Sequence, residues 1–189
     1  YVFEASLLSP DGKLLDSKRI NVGLRTVNLK RSDVFKNGDK GEFAFYVNGR
    51  KIYIKGTNWV PLDALHSRDP QHLQKTLEMA ADLNCNMLRC WGGNVYESDA
   101  FYDFCDKNGI LIWQDFSLAC TTPPQDDDFA KAMEIEARSV VERLRHHPSL
   151  ALWAGNNEND SSFYWLFNSN RLNIDPSKER ISRKVLPEV

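Results

Sequence analysis

From about residue 50 onward the chain alternates short apolar segments with amphipathic helical stretches. Such a series lays its strands parallel and uses the helices as crossovers. Strands are expected at Ile52-Tyr53-Ile54, Met87-Leu88-Arg89, Ile110-Leu111-Ile112-Trp113 and Leu150-Ala151-Leu152-Trp153. Between them, Leu73, Leu77, Ala80 and Ala81 mark one helix face, and Phe101, Phe104 and Cys105 mark a second helix stopped by Asn108-Gly109. A third carries Met133, Ala137, Val140, Val141 and Leu144. Four β/α units make the first half of a (β/α)8 TIM barrel. A doubly wound sheet would more often show a glycine-rich nucleotide turn after its first strand, and no GxGxxG follows Gly56.

Residues 1–45 read differently. Tyr1 to Leu8 alternates partly, Pro10-Asp11-Gly12-Lys13 is a turn, and Leu14 to Leu29 is again β-rich. A hairpin with one apolar face must pack on more sheet, so this stretch is expected to hold the last strands of a β-sandwich, with the barrel half over 46–189. The second hairpin-like pair, Phe43 to Val47 and Lys51 to Lys55 around Asn48-Gly49-Arg50, sits at that junction. Both ends of the chain look cut within longer elements, so the chain is expected to be a fragment.

Charge and composition narrow the partners. Twenty-four basic residues against 26 acidic ones give no electrostatic footprint for nucleic acid, and no run approaches the ~18 apolar residues of a membrane span. A small neutral substrate fits better than a polyanion. Cys85, Cys90, Cys105 and Cys120 lack the paired spacing of a metal site and read as small core residues. No metal or other cofactor is expected. Asp126-Asp127-Asp128 after Pro123-Pro124 reads as a helix start, and His146-His147 before Pro148 as a helix end.

The chemistry-bearing residues follow the strands. Gly56-Thr57-Asn58-Trp59, Arg89-Cys90-Trp91-Gly92-Gly93, Trp113-Gln114-Asp115-Phe116 and Gly155-Asn156-Asn157-Glu158-Asn159 all fall at strand C-terminal ends. In a barrel that edge forms one pocket, here rich in aromatic rings, amides and carboxylates. Rings cover the apolar faces of a sugar, and amide, Arg and carboxylate groups bond its hydroxyls.

Four runs carry a family resemblance: Ile54 through Pro61, Met87 through Gly93, Phe101 through Phe116, and His147 through Asn159. Together they resemble the β-mannosidase branch of glycoside hydrolase family 2. The resemblance implies an immunoglobulin-like sandwich before the barrel, a retaining exo-β-glycosidase acting on terminal β-mannosyl residues of oligosaccharides, and Glu158 as acid/base. It puts the nucleophilic Glu beyond Val189, so the fragment alone is expected to be inactive and, with unpaired strand edges, to self-associate. Sibling activities of the family (β-galactosidase, β-glucuronidase, exo-glucosaminidase) and a non-catalytic carbohydrate-binding homologue are the alternatives. The family suggests a secreted, periplasmic or lysosomal setting. The sequence departs from the family pattern at Cys90, where an aliphatic residue is usual, and at Asn94, where a third glycine is usual.

Each candidate also has a plainer reading. Glu158 could be a first-turn helix carboxylate, but its place at a strand end within the motif favours catalysis. Asn157 is expected to bond the sugar 2-hydroxyl. Arg89, on an apolar strand, needs a carboxylate partner, and the absent nucleophile is the candidate. Asp115 is expected to bond a hydroxyl or orient a polar neighbour; the resemblance argues against its being the nucleophile. Trp91 is the expected stacking platform, Trp59 and Trp165 are open between platform and core, and Trp113 and Trp153 are expected in the barrel core or facing the helices rather than as platforms.

Overall fold

A computed structural model describes residues 1–32, 41–165 and 175–189, the side chains of 163–165 excepted. The described chain divides into two compact units, one of residues 1–53 with 146–148, the other of residues 54–145 with 149–189.

The first unit is antiparallel. Strands β1 (Val2–Leu8) and β2 (Leu14–Asn21) form a hairpin whose turn uses Gly12 at φ 84°. Strands β3 (Val27–Arg31), β4 (Phe43–Val47) and β5 (Arg50–Ile52) form a second sheet in that order. Asn48 and Gly49, at φ 49° and 76°, make the two-residue turn between β4 and β5, the left-handed pair such hairpins require. Lys30 and Lys51, from the strands flanking β4, converge on Glu42 at 2.8 Å each and, with the Tyr46 hydroxyl, pull its carboxyl down to about 2. This sheet corrects the expected division at 45/46. A cut there would run through β4, which pairs on both sides, and the units divide after Tyr53.

The second unit holds a four-stranded parallel sheet of β6 (Gly56–Trp59), β7 (Met87–Cys90), β8 (Leu111–Asp115) and β9 (Leu150–Ala154), in sequence order. Helices α1 (Pro70–Asp82), α2 (Asp99–Asn108), α3 (Asp127–Leu144) and α4 (Asn159–Trp165) follow each strand in turn. Unbroken sequence order marks a partial barrel, because a doubly wound sheet reverses its strand order.

The first barrel strand is not Ile52-Tyr53-Ile54 as expected. Ile52 closes β5, Tyr53 is 82% exposed, and the strand that pairs with β7 is Gly56-Thr57-Asn58-Trp59. Its first residue has to be glycine, since a Cβ there would sit 1.9 Å from the Met87 carbonyl oxygen.

Pleat alternation sends Trp59, Leu88, Cys90, Ile112 and Leu150 into one core with Leu77, Phe101, Tyr102 and Leu144 from the helices. α2 ends on Gly109 at φ 68°, and α3 begins on Asp126, whose side chain accepts the Phe129 N–H at 2.9 Å, as expected of both signals. A second core joins Phe116 and Leu118 to Ala130, Met133 and Ala137 of α3 and to Ile181 and Leu186 near the C-terminus. Among the described residues no helix is long and apolar enough to cross a membrane.

Candidate active site

The parallel register aligns Asn58 with Arg89 and Arg89 with Trp113, so these side chains share one face of the sheet, opposite Leu88, Cys90 and Ile112. Asp115, two residues beyond Trp113, returns to that face at the strand end. Arg89 donates to Asp115 from both Nη2 (2.7 Å to Oδ2) and Nε (3.3 Å to Oδ1), a side-on bidentate pair. The Gly92 amide donates to Oδ2 at 3.1 Å and the Trp113 indole to Oδ1 at 3.0 Å. Burial pushes the Asp115 carboxyl above its ordinary value, while Arg89 and these N–H groups pull it back. Four donors aimed at one carboxyl suit an acceptor-only, ionised group. The Arg89 guanidinium also lies 5.7 Å from the centre of the Trp113 ring.

This geometry corrects two expectations. The carboxylate partner of Arg89 is Asp115, within this chain, because β7 and β8 are neighbours and their register brings the two side chains together. Trp113 is no core residue: its ring is half-buried beside Arg89 and its N–H is committed to Asp115. Trp153, also half-buried, stacks on Phe116, ring centres 5.1 Å apart, and packs against both apolar clusters rather than on the Arg89 face.

Arg89 Nη2 also donates to Asn157 Oδ1 at 2.7 Å, and Nη1 to Asn58 Oδ1 at 3.3 Å. One guanidinium thus joins residues from β6, β7 and β8 and from the loop after β9. Asn157 is buried and its backbone is tied to the loop after β8, accepting from Cys120 N–H and donating to the Leu118 carbonyl, both at 2.8 Å. Glu158, next in the chain, is exposed and adopts φ 56°. Its carbonyl opens α4 by accepting the Ser162 N–H at 3.0 Å, but its carboxylate turns to Cys120 Sγ at 3.5 Å. The side chain that serves the helix start is Asn156, whose Oδ1 accepts the Asn159 N–H at 3.2 Å. The plain helix-terminus reading of Glu158 therefore does not describe its side chain.

The tryptophans part ways. Trp91, just past β7, is half-buried, and its ring folds over Gly93, where a Cβ would come within 2.1 Å of it. Trp59 is 3% exposed in the helix-side core against Phe101, its indole donating to Glu97 Oε1 at 2.9 Å, which corrects the platform alternative in favour of packing. The side chain of Trp165 lies outside the described residues. The two family departures are explained locally: Cys90 is fully buried in the core, and Asn94 donates to Glu97 at 3.1 Å beside Trp59.

Sequence reasoning placed Asn58 and Trp113 only within the converging strand-end runs, giving neither a polar role in the site, and missed Cys120 as a member of this cluster. Drawing β6 at 56–59 would have found Asn58, since alternation then opposes it to the buried Trp59. No local signal announces Cys120, which reaches the cluster through a loop and lies only half-buried rather than in the core.

Comparison with known proteins settles the family. Residues 40–178 match the model of the glycosyl hydrolases family 2 TIM barrel domain. The chain belongs to glycosyl hydrolase family 2. It is 42% identical over 153 residues to the β-mannosidase of Capra hircus, covering 80% of this chain and 17% of that one. To β-mannosidase B of Thermothelomyces thermophilus it is 39% identical over 160 residues, 84% of this chain and 18% of that one. The crystal structure of a β-D-mannosidase from Dictyoglomus thermophilum matches with a TM-score of 0.82 at 36% identity, over 99% of this chain and 23% of that one. The chain therefore spans about a fifth of the length of these family 2 relatives. The family match begins before β4, so the β4–β5 hairpin belongs to the matched segment.

Proposed function

We propose that these residues form the acid/base half of the active site of a retaining exo-β-mannosidase, in which Glu158 protonates the departing glycosidic oxygen and then deprotonates the attacking water. The observation that carries this reading is the environment of Glu158: an exposed carboxylate at the C-terminal end of β9, beside an Asn157 clamped by Arg89. The relatives named β-mannosidase support the choice of sugar. Retention requires a second, ionised carboxyl about 5 Å away on the opposite side of the anomeric carbon. Asp115 does not suit that role, since it is 1% exposed and its oxygens are taken by Arg89, Gly92 and Trp113. The nucleophile is accordingly proposed to be a Glu on a later barrel strand, outside residues 1–189, and the chain alone is proposed to be inactive and prone to self-association through its open sheet edges.

In this scheme Asn157 bonds the sugar 2-hydroxyl, Trp91 offers a stacking surface, and Asp115 holds Arg89 in place. Strands β1 to β3, which precede the segment matching the family 2 barrel, are proposed to end an immunoglobulin-like sandwich. The test is a panel of aryl β-glycosides offered to the whole enzyme. Cleavage of the β-mannoside with retention is expected, and preference for the glucuronide, galactoside or glucosaminide would reassign the substrate. No cleavage of any would leave a carbohydrate-binding homologue.

A further inference from the structure

Three of the four thiols are explained by packing: Cys90 and Cys105 are buried in the helix-side core and Cys85 packs against it. Cys120 is different. It sits in the loop after β8 at φ 50°, a left-handed conformation unusual for a residue with a Cβ, and faces Glu158, itself at φ 56°. Two backbone hydrogen bonds couple the loops: Cys120 N–H to the Asn157 carbonyl and Asn157 N–H to the Leu118 carbonyl, both 2.8 Å. The sulfur lies 3.3 Å from Asn157 Nδ2 and 3.5 Å from Glu158 Oε2.

The sense of each bond follows from chemistry. A guanidinium only donates, so the Asn157 oxygen must face Arg89 and its NH2 must face Cys120. An amide NH2 only donates, so the sulfur accepts there and its own S–H is left to point at Glu158. From Arg89, itself held by Asp115, a directed chain of hydrogen bonds thus runs through Asn157 and Cys120 to Glu158 across three strand ends, each link polarising the next.

We infer that Cys120 is a positioning residue for Glu158: its S–H holds Oε2 and leaves Oε1 as the oxygen that passes a proton to the leaving group and later takes one from water. This rests on the acid/base reading of Glu158. Losing the thiol lets the carboxyl rotate, so proton delivery suffers while the pocket keeps its shape.

The experiment compares Cys120→Ala and Cys120→Ser in the whole enzyme on a methyl β-mannoside, whose departure needs protonation, and a dinitrophenyl β-mannoside, whose departure does not. Cys120→Ala is expected to lower kcat/KM for the methyl glycoside by roughly three- to tenfold, the range for losing one hydrogen bond, and for the activated one by less than about twofold. Serine, which keeps a donor and a Cβ in the same strained backbone, should restore most of the loss. If alanine fails to fold, Cys120→Gly suits φ 50° and must show the same split. Equal losses on both substrates, no loss on either, or serine as poor as alanine would overturn the inference. Glu158→Gln in the same assay separates the two readings: if it shows no leaving-group dependence, the acid/base role itself fails. If it does and Cys120→Ala does not, only the positioning role falls.

Discussion

On the helix-facing side of β6–β9, Trp59, Leu88, Cys90 and Ile112 are each at most 3% exposed and meet other apolar groups. The opposite side presents Asn58, Arg89, Trp113 and Asp115, bound to one another by hydrogen bonds. Both sets come from the same strands, at alternating positions. A side chain on the first side interacts mainly through its shape, and its loss leaves a cavity. A side chain on the second interacts through fixed donor and acceptor geometry, and its loss strands a charge or a hydrogen-bonding partner. Substitutions on the two sides should therefore separate stability from activity.

The largest expected effect lies at the end of the polar side. In the whole enzyme Glu158→Gln should lower kcat/KM on substrates with poor leaving groups by about 10²–10⁴-fold with little change in stability. Azide added to Glu158→Ala should restore turnover and yield the β-glycosyl azide, because a small anion needs no general base. If both leaving-group classes slowed equally and azide changed nothing, the polar side would not be the catalytic one.

Arg89→Ala should injure both properties. It leaves the buried Asp115 carboxylate without its cation, an imbalance worth roughly 3–5 kcal/mol, and releases Asn157. Equilibrium unfolding and kcat/KM measured on one preparation would show the two losses together. Leu88→Ala, one residue away and pointing the other way, should lose about 3 kcal/mol to a cavity among Leu77, Phe101 and Ile112. Its activity per folded molecule should be unchanged; a kcat that fell with stability would dissolve the distinction between the sides.

The apolar side was legible in the sequence and the polar side only in part. Period-3.6 spacing marks Leu77, Ala80, Phe101, Cys105, Met133, Ala137 and Leu144, all of which are buried. β6 escaped because Gly-Thr-Asn-Trp has no apolar run. It is a strand because its backbone pairs with β7, and the glycine that permits this resembles a loop residue. Asp115 and Asn157 stood out as types, but the partner of Arg89 did not, since register between strands 26 residues apart leaves no local mark. Cys120 left less still: its meaning comes from a loop conformation and from which way an amide is turned.

A smaller effect is expected away from both faces. Asp126→Ala removes the side chain that accepts the Phe129 N–H at the start of α3, which should cost about 1 kcal/mol and leave kcat unchanged. A thermal melt beside an activity assay would check both halves. A substantial fall in kcat would mean that the α3 start is coupled to the polar face.

The smallest effect should come from Glu97, a carboxyl that intrudes on the apolar side. It is 5% exposed and accepts from Trp59 Nε1 at 2.9 Å and Asn94 Nδ2 at 3.1 Å. Burial raises its pKa, the Trp59 and Asn94 donors lower it, nearby Asp69 adds to the rise, and the net direction is upward. The folded protein then holds this proton more tightly than the unfolded chain. Between the ordinary glutamate value of about 4.3 and the higher folded value, the native state carries the extra proton. Stability contributed by this group is present below that window and is lost as pH rises through it. Glu97→Gln keeps a carbonyl oxygen for both donors and removes the ionisation. The variant should match the parent in acid and gain on it as pH climbs toward neutrality. Urea midpoints of the two proteins at several pH values would reveal the trend. A difference that stayed constant, or that favoured the parent more at higher pH, would mean the ionised Glu97 is stabilised by its surroundings and that the apolar side accommodates a charge.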